Sequence, residues 1–169
     1  MLFQYHLCKT DDDFVQYTLF FVRYRSEFSR RFSLSDALMH ALETIQTSHI
    51  MLLSLPTGEV IGWAQYRYFS EGYEPDPNGD IVFVDSAITL EPYRSTRLFI
   101  QGFRVLAAHI AQENPLVRTF QFCALADNAY LKRLYSKFAD IIGQREGYHG
   151  TEDLFSTDFP KLLQYLSPK

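Results

Sequence analysis

The sequence predicts a mixed α/β (α+β) fold in which a central mixed β-sheet of six to seven strands is flanked by about four helices. The chain has 169 residues, 47% of them hydrophobic and 21% charged, which is the size and composition of one globular domain. Apolar residues switch between strand-like runs and helical spacing in the order β-α-α-β-β-β-α-β-α-β-β. No repeat, low-complexity segment or linker interrupts that order, so residues 1–169 are predicted to form a single domain.

The first third of the chain predicts an edge strand followed by two helices. Residues 2–8 alternate loosely between apolar and polar side chains, as an edge strand does. Thr10 before three aspartates, and Ser33 three residues before Asp36, are both helix N-capping patterns. The predicted buried faces consist of Phe14, Val15, Thr18, Leu19 and Val22 in the first helix and of Ala37, Leu38, Ala41, Leu42 and Ile45 in the second.

A hairpin and a loop are predicted next. Residues 49–55 and 59–69 are apolar runs separated by the turn residues at 56–58, which is typical of two antiparallel strands. Gly62 inside the second strand indicates a β-bulge or the close approach of another backbone. Residues 71–79 include two prolines and two glycines, so they are predicted to form a loop, which is either a plain exposed loop or a substrate-side flap.

Residues 80–112 predict the centre of the fold, namely a strand, a tight polar turn and a long helix. The unbroken apolar run at residues 81–84 is typical of a strand covered on both faces, and Pro92 ends it. Ser95 and Thr96 can cap the helix that follows. A helix that starts just after a strand can bind an anion, because its first amides point outward and its dipole favours negative charge.

The last third predicts a strand, a helix and a closing pair of strands. Residues 117–124 are predicted to form the strand, and Asp127 is the predicted cap of the helix after it. Residues 141–149 and 153–159 are the predicted closing strands. Pro160 then opens a short terminal helix or tail, since proline is favoured at the first helical position.

Charge and composition exclude several classes of function. A net charge of −4 lacks the basic excess of a nucleic-acid binder, and no apolar run approaches the ~20 residues of a membrane span. The five histidines show no metal-ligand spacing and the two cysteines are too few for a disulfide framework, so neither a metal nor a disulfide is expected. Because the N-terminus has no signal pattern, a cytoplasmic protein is the default expectation.

Two segments and the order of elements carry a resemblance to a known family. The segments are EPYRSTRL at residues 91–98 and NAYLKRLYSKF at residues 128–138. They resemble the pyrophosphate turn and a later helix of the GNAT superfamily of acyl-CoA-dependent N-acyltransferases, and the resemblance extends over nearly the whole chain. Where the family has glycines in the turn, this chain has Ser95, Arg97 and Phe99, whose side chains narrow the approach of phosphate to the amides.

The resemblance implies roles for ten residues. The implied binding residues for acetyl-CoA or CoA are Ile88, Leu90, Arg94, Ser95, Thr96, Arg97, Leu98 and Asn128. Tyr135 matches the family's general-acid tyrosine, and Asp85 matches a carboxylate that binds or deprotonates the amine. On the residues alone, Tyr135 is as readily a core tyrosine, Asp85 a structural hydrogen-bonding group and Asn128 a helix cap.

The resemblance therefore implies an enzyme, an N-acetyltransferase that moves an acetyl group from acetyl-CoA to a primary amine of a small molecule or a protein. The missing glycines keep two alternatives open. One is an acyltransferase of the same fold that takes a longer acyl chain from acyl-CoA or an acyl-carrier protein, and the other is a non-catalytic GNAT-like binding module. Neither nucleic acid nor membrane is an expected partner, and a homodimer stays open.

Overall fold

The computed structural model describes residues 2–147 and 149–168, and in that part it has seven strands and six helices. The strands are β1 (Gln4–Leu7), β2 (His49–Ser54), β3 (Val60–Phe69), β4 (Ile81–Thr89), β5 (Thr119–Leu125), β6 (Asp140–Gly147) and β7 (Gly150–Asp158). The helices are α1 (Asp11–Arg23), α2 (Arg25–Phe28), α3 (Leu34–Thr47), α4 (Thr96–Glu113), α5 (Ala129–Tyr135) and α6 (Phe159–Leu166). The strands form one mixed sheet in the order β1-β2-β3-β4-β5-β7-β6.

The predicted fold class and order of elements are confirmed. The strand predicted at residues 2–8 is the edge strand β1, and Thr10 and Ser33 both cap their helices through complete capping boxes. The α2 turn and a 3-10 turn at Glu91–Tyr93 have no counterpart in the prediction, because one turn is too short to display a helical period. The strand predicted at residues 141–149 corresponds to β6, except that residue 148 lies outside the described residues.

The chain forms two compact units, and the division falls inside β3 and β4. The N-terminal unit runs to Tyr66 and includes Ala87–Arg94. The C-terminal unit consists of Arg67–Ser86 and of the chain from Ser95 onwards. Each unit buries its own set of aromatic side chains.

An aromatic cluster around Trp63 forms the core of the N-terminal unit. The centroid of the Trp63 ring lies 5.4 Å from that of Phe21, 6.0 Å from that of Phe20 and 6.1 Å from that of Tyr17, all on α1. Phe28 of α2 lies 6.1 Å from the same ring. Aromatic pairs prefer such edge-to-face and tilted contacts, so ring packing fixes α1 and α2 on β3.

The buried faces of α1 and α3 differ from the predicted ones. The buried residues are Tyr17, Phe20 and Phe21 in α1 and Ala37, Ala41 and Thr44 in α3. The predicted core residues that are exposed instead are Val15, Leu19, Leu38 and Leu42. Apolar residues occur on more than one face of α1, and burial favours the face with the larger aromatic side chains because it removes more apolar surface from water.

The centre of the C-terminal unit is the parallel pairing of β4 with β5. Four residues of each strand are aligned, from Ile81 opposite Thr119 to Val84 opposite Phe122. The pairing ends there although both strands continue, β5 alongside β7. Phe103 of α4 packs on this pair, with its ring centroid 5.6 Å from that of Phe122. The β4 residues after Val84 therefore have no partner on β5.

An ion pair between a buried carboxylate and a partly exposed lysine holds α5 against the sheet. The carboxylate of Asp153 on β7 is 2% exposed, lies 3.1 Å from the Lys132 ammonium of α5, and accepts a hydrogen bond of 3.0 Å from Gln144 of β6. The hydrogen bond from Gln144 holds the pKa of Asp153 below its usual value, with help from the Lys132 ammonium and against the effect of burial. The pair thereby fixes the helix that ends at Tyr135.

Gly62 lies where two strand backbones approach closely. A Cβ atom at Gly62 would be 2.5 Å from the carbonyl oxygen of Ile88. The pairing of β2 with β3 also shifts register between Leu53 and Ser54, and Leu53 is the partner of Gly62. The bulge and the close backbone approach, which the sequence offered as alternatives at this glycine, both occur.

Gly62→Ala is expected to lower the free energy of unfolding by about 1–3 kcal/mol, because the new methyl group overlaps a backbone carbonyl that cannot rotate away. Urea denaturation followed by circular dichroism measures the change. Gly143→Ala in β6 is the matched control, since a Cβ there meets no atom within 4 Å. Equal stability of the two variants would contradict the close approach.

Asp153→Asn is expected to lower the melting temperature at pH 7. The pKa of Asp153 is lower in the folded than in the unfolded chain, so its stabilisation is present above the unfolded pKa of about 3.9 and is lost as the pH falls through the folded value. The gap to the wild type should therefore narrow below about pH 4, as melting curves at pH 7, 5, 4 and 3 will measure. Asp127→Asn, at an exposed carboxylate, is the control; a gap that does not change with pH would refute the assignment.

Candidate functional site

The N-terminus of α4 has the geometry of an anion-binding site. Ser95 caps the helix, since its Oγ accepts a hydrogen bond of 3.1 Å from the amide of Leu98, whose side chain is buried. Within the described residues, the amides of Thr96 and Arg97 have no hydrogen-bond acceptor. Free amides of a first turn lie at the positive end of the helix dipole, so they attract an anion such as phosphate.

The two arginines predicted to contact phosphate have different surroundings. Arg94, in the N-terminal unit, donates to the carbonyl oxygen of Thr89 at 2.7 Å and pairs with the Glu27 carboxylate at 3.0 Å. The Arg97 side chain is exposed and makes no ion pair or hydrogen bond in the part of the chain that the structure describes. Arg97 is therefore the arginine whose guanidinium is available to an anion.

Asn128 is the N-cap of α5. Its Oδ1 accepts a hydrogen bond of 3.0 Å from the amide of Leu131. The prediction that Asp127 caps this helix is wrong by one position, because the helix begins at Ala129 and the capping side chain is the one directly before it. The structure thus shows Asn128 as a cap, and a contact of Asn128 with a cofactor stays a prediction.

Tyr135 ends α5 among aromatic rings. Its ring centroid lies 4.8 Å from that of Phe122, 5.3 Å from that of Phe155 and 5.4 Å from that of Phe99. The side chain is 7% exposed, yet no described residue makes a hydrogen bond to its hydroxyl. Burial raises the pKa of Tyr135, and Tyr130 adds to the effect, so the phenol keeps its proton at neutral pH. Such a hydroxyl can donate its proton to a basic group that comes within hydrogen-bond distance.

The anion-binding end of α4 and the Tyr135 hydroxyl belong to one region of the C-terminal unit. Phe99 lies in the first turn of α4 and its ring contacts that of Tyr135. The Thr96 hydroxyl is also hydrogen-bonded to the hydroxyl of Tyr130 on α5. The sequence predicted both helix ends separately, and the fold brings them together.

Ser86 adds a polar group that no sequence motif marks. It follows Val84, the last β4 residue paired with β5, by two positions, and side chains two apart on a strand share a face. Its Oγ is buried and has no hydrogen-bond partner among the described residues. The only signal in the sequence is the spacing: Ser86 follows Val82 and Val84 at the same interval of two residues, so it is the next residue on their face of the strand.

Asp85 is engaged in a two-point ion pair. The Arg67 guanidinium donates to both carboxylate oxygens, from Nε at 2.8 Å and from Nη2 at 2.7 Å. The Asp85 side chain is 14% exposed, so this bidentate pair compensates much of its desolvation. Sequence reasoning missed Arg67, because the pair joins adjacent strands and only their register reveals it. A catalytic or substrate contact of Asp85 stays a prediction.

Ile88 and Leu90 lie in the N-terminal unit. The Leu90 amide donates to the carbonyl oxygen of Ile61 at 2.9 Å, and the Leu90 side chain is buried. That amide already has an acceptor within the N-terminal unit, and a role of Leu90 in binding CoA stays a prediction. The Ile88 carbonyl lies against Gly62, and a role of Ile88 in binding stays a prediction.

The described ranges contain neither a metal-binding cluster nor a membrane-spanning helix. In residues 2–147 and 149–168, no three or more His, Cys, Asp or Glu side chains are grouped so that they could hold a metal ion. No helix in the same part of the chain has both the length and the apolar character needed to cross a bilayer.

Comparison with known proteins identifies the fold. No family model and no curated protein matches the sequence. Among solved structures, aminoglycoside acetyltransferase AAC(6')-Ib in complex with coenzyme A and kanamycin is similar at 18% identity and a TM-score of 0.66, covering 97% of this chain and 100% of that one. Ribosomal-protein-S5-alanine acetyltransferase from Vibrio fischeri is similar at 13% identity and a TM-score of 0.65, covering 92% of both chains.

A structure from Bordetella pertussis that is assigned to the GNAT-family acetyltransferases is similar in the same way. Its TM-score is 0.65 at 13% identity, and the match covers 90% of this chain and 99% of that one. Identities this low establish the fold and not the substrate. The chain therefore has the fold of the GNAT-family acetyltransferases, which confirms at the level of the fold the resemblance found in its sequence.

Proposed function

We propose that the chain is an N-acetyltransferase that transfers the acetyl group of acetyl-CoA to a primary amine of a small molecule or a protein. The observation that carries the proposal is the Tyr135 hydroxyl, which is protonated and, among the described residues, unpartnered beside the point where β4 and β5 part. The fold adds support, since the similar structures include an aminoglycoside acetyltransferase bound to coenzyme A and an acetyltransferase of ribosomal-protein-S5 alanine.

The pyrophosphate of CoA would bind at the N-terminus of α4. Its negative charges suit the free amides of Thr96 and Arg97 and the positive end of the helix dipole. The Arg97 guanidinium is free to form charge-assisted hydrogen bonds with phosphate oxygens. It thereby offsets the missing glycines, because a side-chain contact replaces part of the close approach that a glycine turn gives to backbone amides.

The thioester arm of CoA would lie along Asp85 and Ser86, the residues of the C-terminal unit at which β4 leaves β5. Backbone groups on an unpaired strand edge need partners, and the amide groups of a pantetheine arm can supply them. The Ser86 hydroxyl on this stretch is buried and lacks a partner within the described residues, so it is a further hydrogen-bonding group for the same arm. Such a group costs stability until a ligand satisfies it.

The chemistry then needs one proton donor at the sulfur. The amine nitrogen uses its lone pair to form a bond to the thioester carbonyl carbon, and the carbon–sulfur bond breaks with its electron pair going to sulfur. Tyr135 donates its phenolic proton to that thiolate and is reprotonated from solvent. The proton that the amine loses passes to water. Burial keeps the phenol protonated at neutral pH, so its proton is present when the thiolate forms.

Binding of CoA is the first test of the proposal. Acetyl-CoA and CoA are expected to raise the melting temperature, since a ligand that binds only the folded state at ~100 times its Kd adds about 2.7 kcal/mol. Arg97→Ala should raise the Kd for CoA about tenfold, the loss expected for a hydrogen bond to a charged group. Arg118→Ala is the control, because Arg118 is also exposed but lies beyond the opposite end of α4.

Three outcomes of the same experiment separate the alternatives. A rise in melting temperature, followed by amine-dependent release of the CoA thiol, supports acetyl transfer. An unchanged melting temperature with CoA, together with acyl transfer from an acyl-carrier protein, would favour the longer acyl donor. Indifference to both, with no turnover, would favour a non-catalytic module of this fold and overturn the proposal.

Tyr135→Phe is expected to lower kcat by at least about tenfold and to leave the Kd for CoA unchanged, because it removes the proton donor and keeps the ring. Initial rates of CoA release between pH 6 and 9, with CoA affinity from calorimetry, measure both effects. Tyr165→Phe on α6 is the matched control, since that tyrosine is half-exposed. If kcat of Tyr135→Phe equals that of the wild type at every pH, Tyr135 is not the acid.

A further inference from the structure

The C-terminal unit has a polar face on the side of its sheet away from α4. Phe120 and Phe122 of β5 pack against Phe103 of α4, so Gln121 and Cys123, which alternate with them, lie on the other side. We call this side the acceptor face and define it by Arg67, Phe83, Asp85, Gln121, Cys123, Arg145, Glu152 and Ser156.

Contacts between neighbouring strands confirm that these side chains share one surface. Phe83 of β4 is the register partner of Gln121, and the Arg145 guanidinium lies 5.3 Å above the Phe83 ring. Burial raises the pKa of the Cys123 thiol to about 11, and the charges of Arg145, Glu152 and Asp85 act on the same thiol. The acceptor face is thus a group of mainly polar and charged side chains that extends across β4, β5, β7 and β6 and is joined to Arg67 of β3 through Asp85.

Gln121 is the unusual residue of this face, because its side chain is buried and only the amide nitrogen, not the amide oxygen, forms hydrogen bonds. The side chain is 3% exposed, and its Nε2 donates to the Tyr73 hydroxyl at 2.9 Å and to Ser156 Oγ at 3.3 Å. Its Oε1 is buried and accepts no hydrogen bond from any described residue. A buried acceptor without a donor is costly, so a ligand that donates to it gains a hydrogen bond that the protein leaves unmade.

Tyr73 holds Gln121 in that orientation. It lies in the loop between β3 and β4, and with φ of 59° it is in the left-handed region that non-glycine residues seldom adopt. The side chain is 54% exposed although its hydroxyl reaches Gln121. The loop therefore adopts a strained backbone conformation at Tyr73, and this conformation brings the hydroxyl onto the acceptor face. Such strain is common at residues that shape a binding site.

The charges near Gln121 favour a cation. Residues 70–80 contain Glu71, Glu74, Asp76 and Asp80 and no lysine or arginine. On the strands, Asp85 and Glu152 are each paired with an arginine. The exposed Asp140 lies directly opposite Ser156 in the pairing of β6 with β7. Across this loop and these strand positions the acidic side chains outnumber the basic ones, and their summed field attracts positive charge.

We infer that the acceptor face binds an amine carrying a second positive charge, with Gln121 Oε1 accepting a hydrogen bond from it and Tyr73 acting as the positioning residue of Gln121. The binding itself stands on the geometry of the C-terminal unit. Only the identification of this amine as the acetyl acceptor rests on the proposed function.

Spermidine is the probe, titrated calorimetrically into the full chain without CoA and again with CoA present. Gln121→Leu should raise its Kd at least about tenfold, the loss expected for a hydrogen bond to a charged donor. Gln121→Glu should keep or tighten binding, because it retains an acceptor and adds a negative charge. Tyr73→Phe should weaken binding about threefold, since it removes only the group that orients Gln121.

Gln112→Leu on α4 is the matched control, because it deletes an exposed amide elsewhere in the same unit and should leave the Kd unchanged. Thermal unfolding of every variant checks the fold. If Gln121→Leu does not fold, Gln121→Glu and Tyr73→Phe decide the question with smaller changes. The acetylation rate with spermidine is then measured against that with glycine, and the effect of Gln121→Leu should fall on KM rather than kcat.

The inference is overturned if the wild type does not bind spermidine, if Gln121→Leu binds it as tightly, or if Gln121→Glu loses it. A higher acetylation rate with glycine than with spermidine would likewise overturn the inference that the amine carries a second positive charge. Failure of the proposed function gives a different pattern, namely spermidine binding that depends on Gln121 with no response to CoA. A response to CoA with no binding of spermidine refutes the inference alone.

Discussion

The parallel pairing of β4 with β5 ends at Val84 and Phe122, and the candidate site of the C-terminal unit depends on that end. A strand that leaves its neighbour exposes backbone donors and acceptors, which need partners from water, side chains or a ligand. On one side of the sheet the Tyr135 ring packs on Phe122 and the Ser86 hydroxyl is buried without a partner in the described chain. On the other side lie Asp85 and the acceptor face. One interruption in a ladder thus creates two chemically different surfaces at the same level of the sheet.

The helices around this point are fixed by interactions of different strength. Lys132 and the buried Asp153 join α5 to β7, and removal of one member of a buried pair leaves an uncompensated charge. The exposed hydroxyl pair of Thr96 and Tyr130 contributes less, because water competes for both groups. Aromatic packing of Phe99 on Tyr135 adds a further contact between α4 and α5. The position of the tyrosine is therefore set by its own helix and core together with the packing of Phe99 from the first turn of α4.

The sequence predicts those features that are encoded locally. Capping at Thr10, Ser33 and Ser95 needs only a few adjacent residues. The close backbone contact at Gly62 is likewise predicted by the glycine itself, because it stands inside a strand pattern. The buried face of α1 needs more, since its aromatic and aliphatic residues both recur at helical spacing and only packing on Trp63 selects Tyr17 over Leu19. The contacts of the candidate site likewise cannot be predicted from adjacent residues alone. Asp85 is visible in the sequence, but its bond to Arg67 depends on strand register, as does the contact of Gln121 with Tyr73.

In the proposed reaction, binding and reactivity place opposite demands on the acceptor face. A negative field attracts a protonated amine, yet the nitrogen that attacks a thioester must be neutral, and a nearby carboxylate favours the charged form. The structure limits this conflict in two ways. Arg67 donates to both oxygens of Asp85, so the charge of that carboxylate is already matched by a guanidinium and adds little to the field on the amine. Gln121 offers a neutral carbonyl oxygen, which accepts a hydrogen bond from the charged nitrogen without adding a negative charge near the nitrogen that reacts. An amine with two nitrogens resolves the conflict fully, because the charged nitrogen can remain in the acidic field while the other loses its proton to water and reacts.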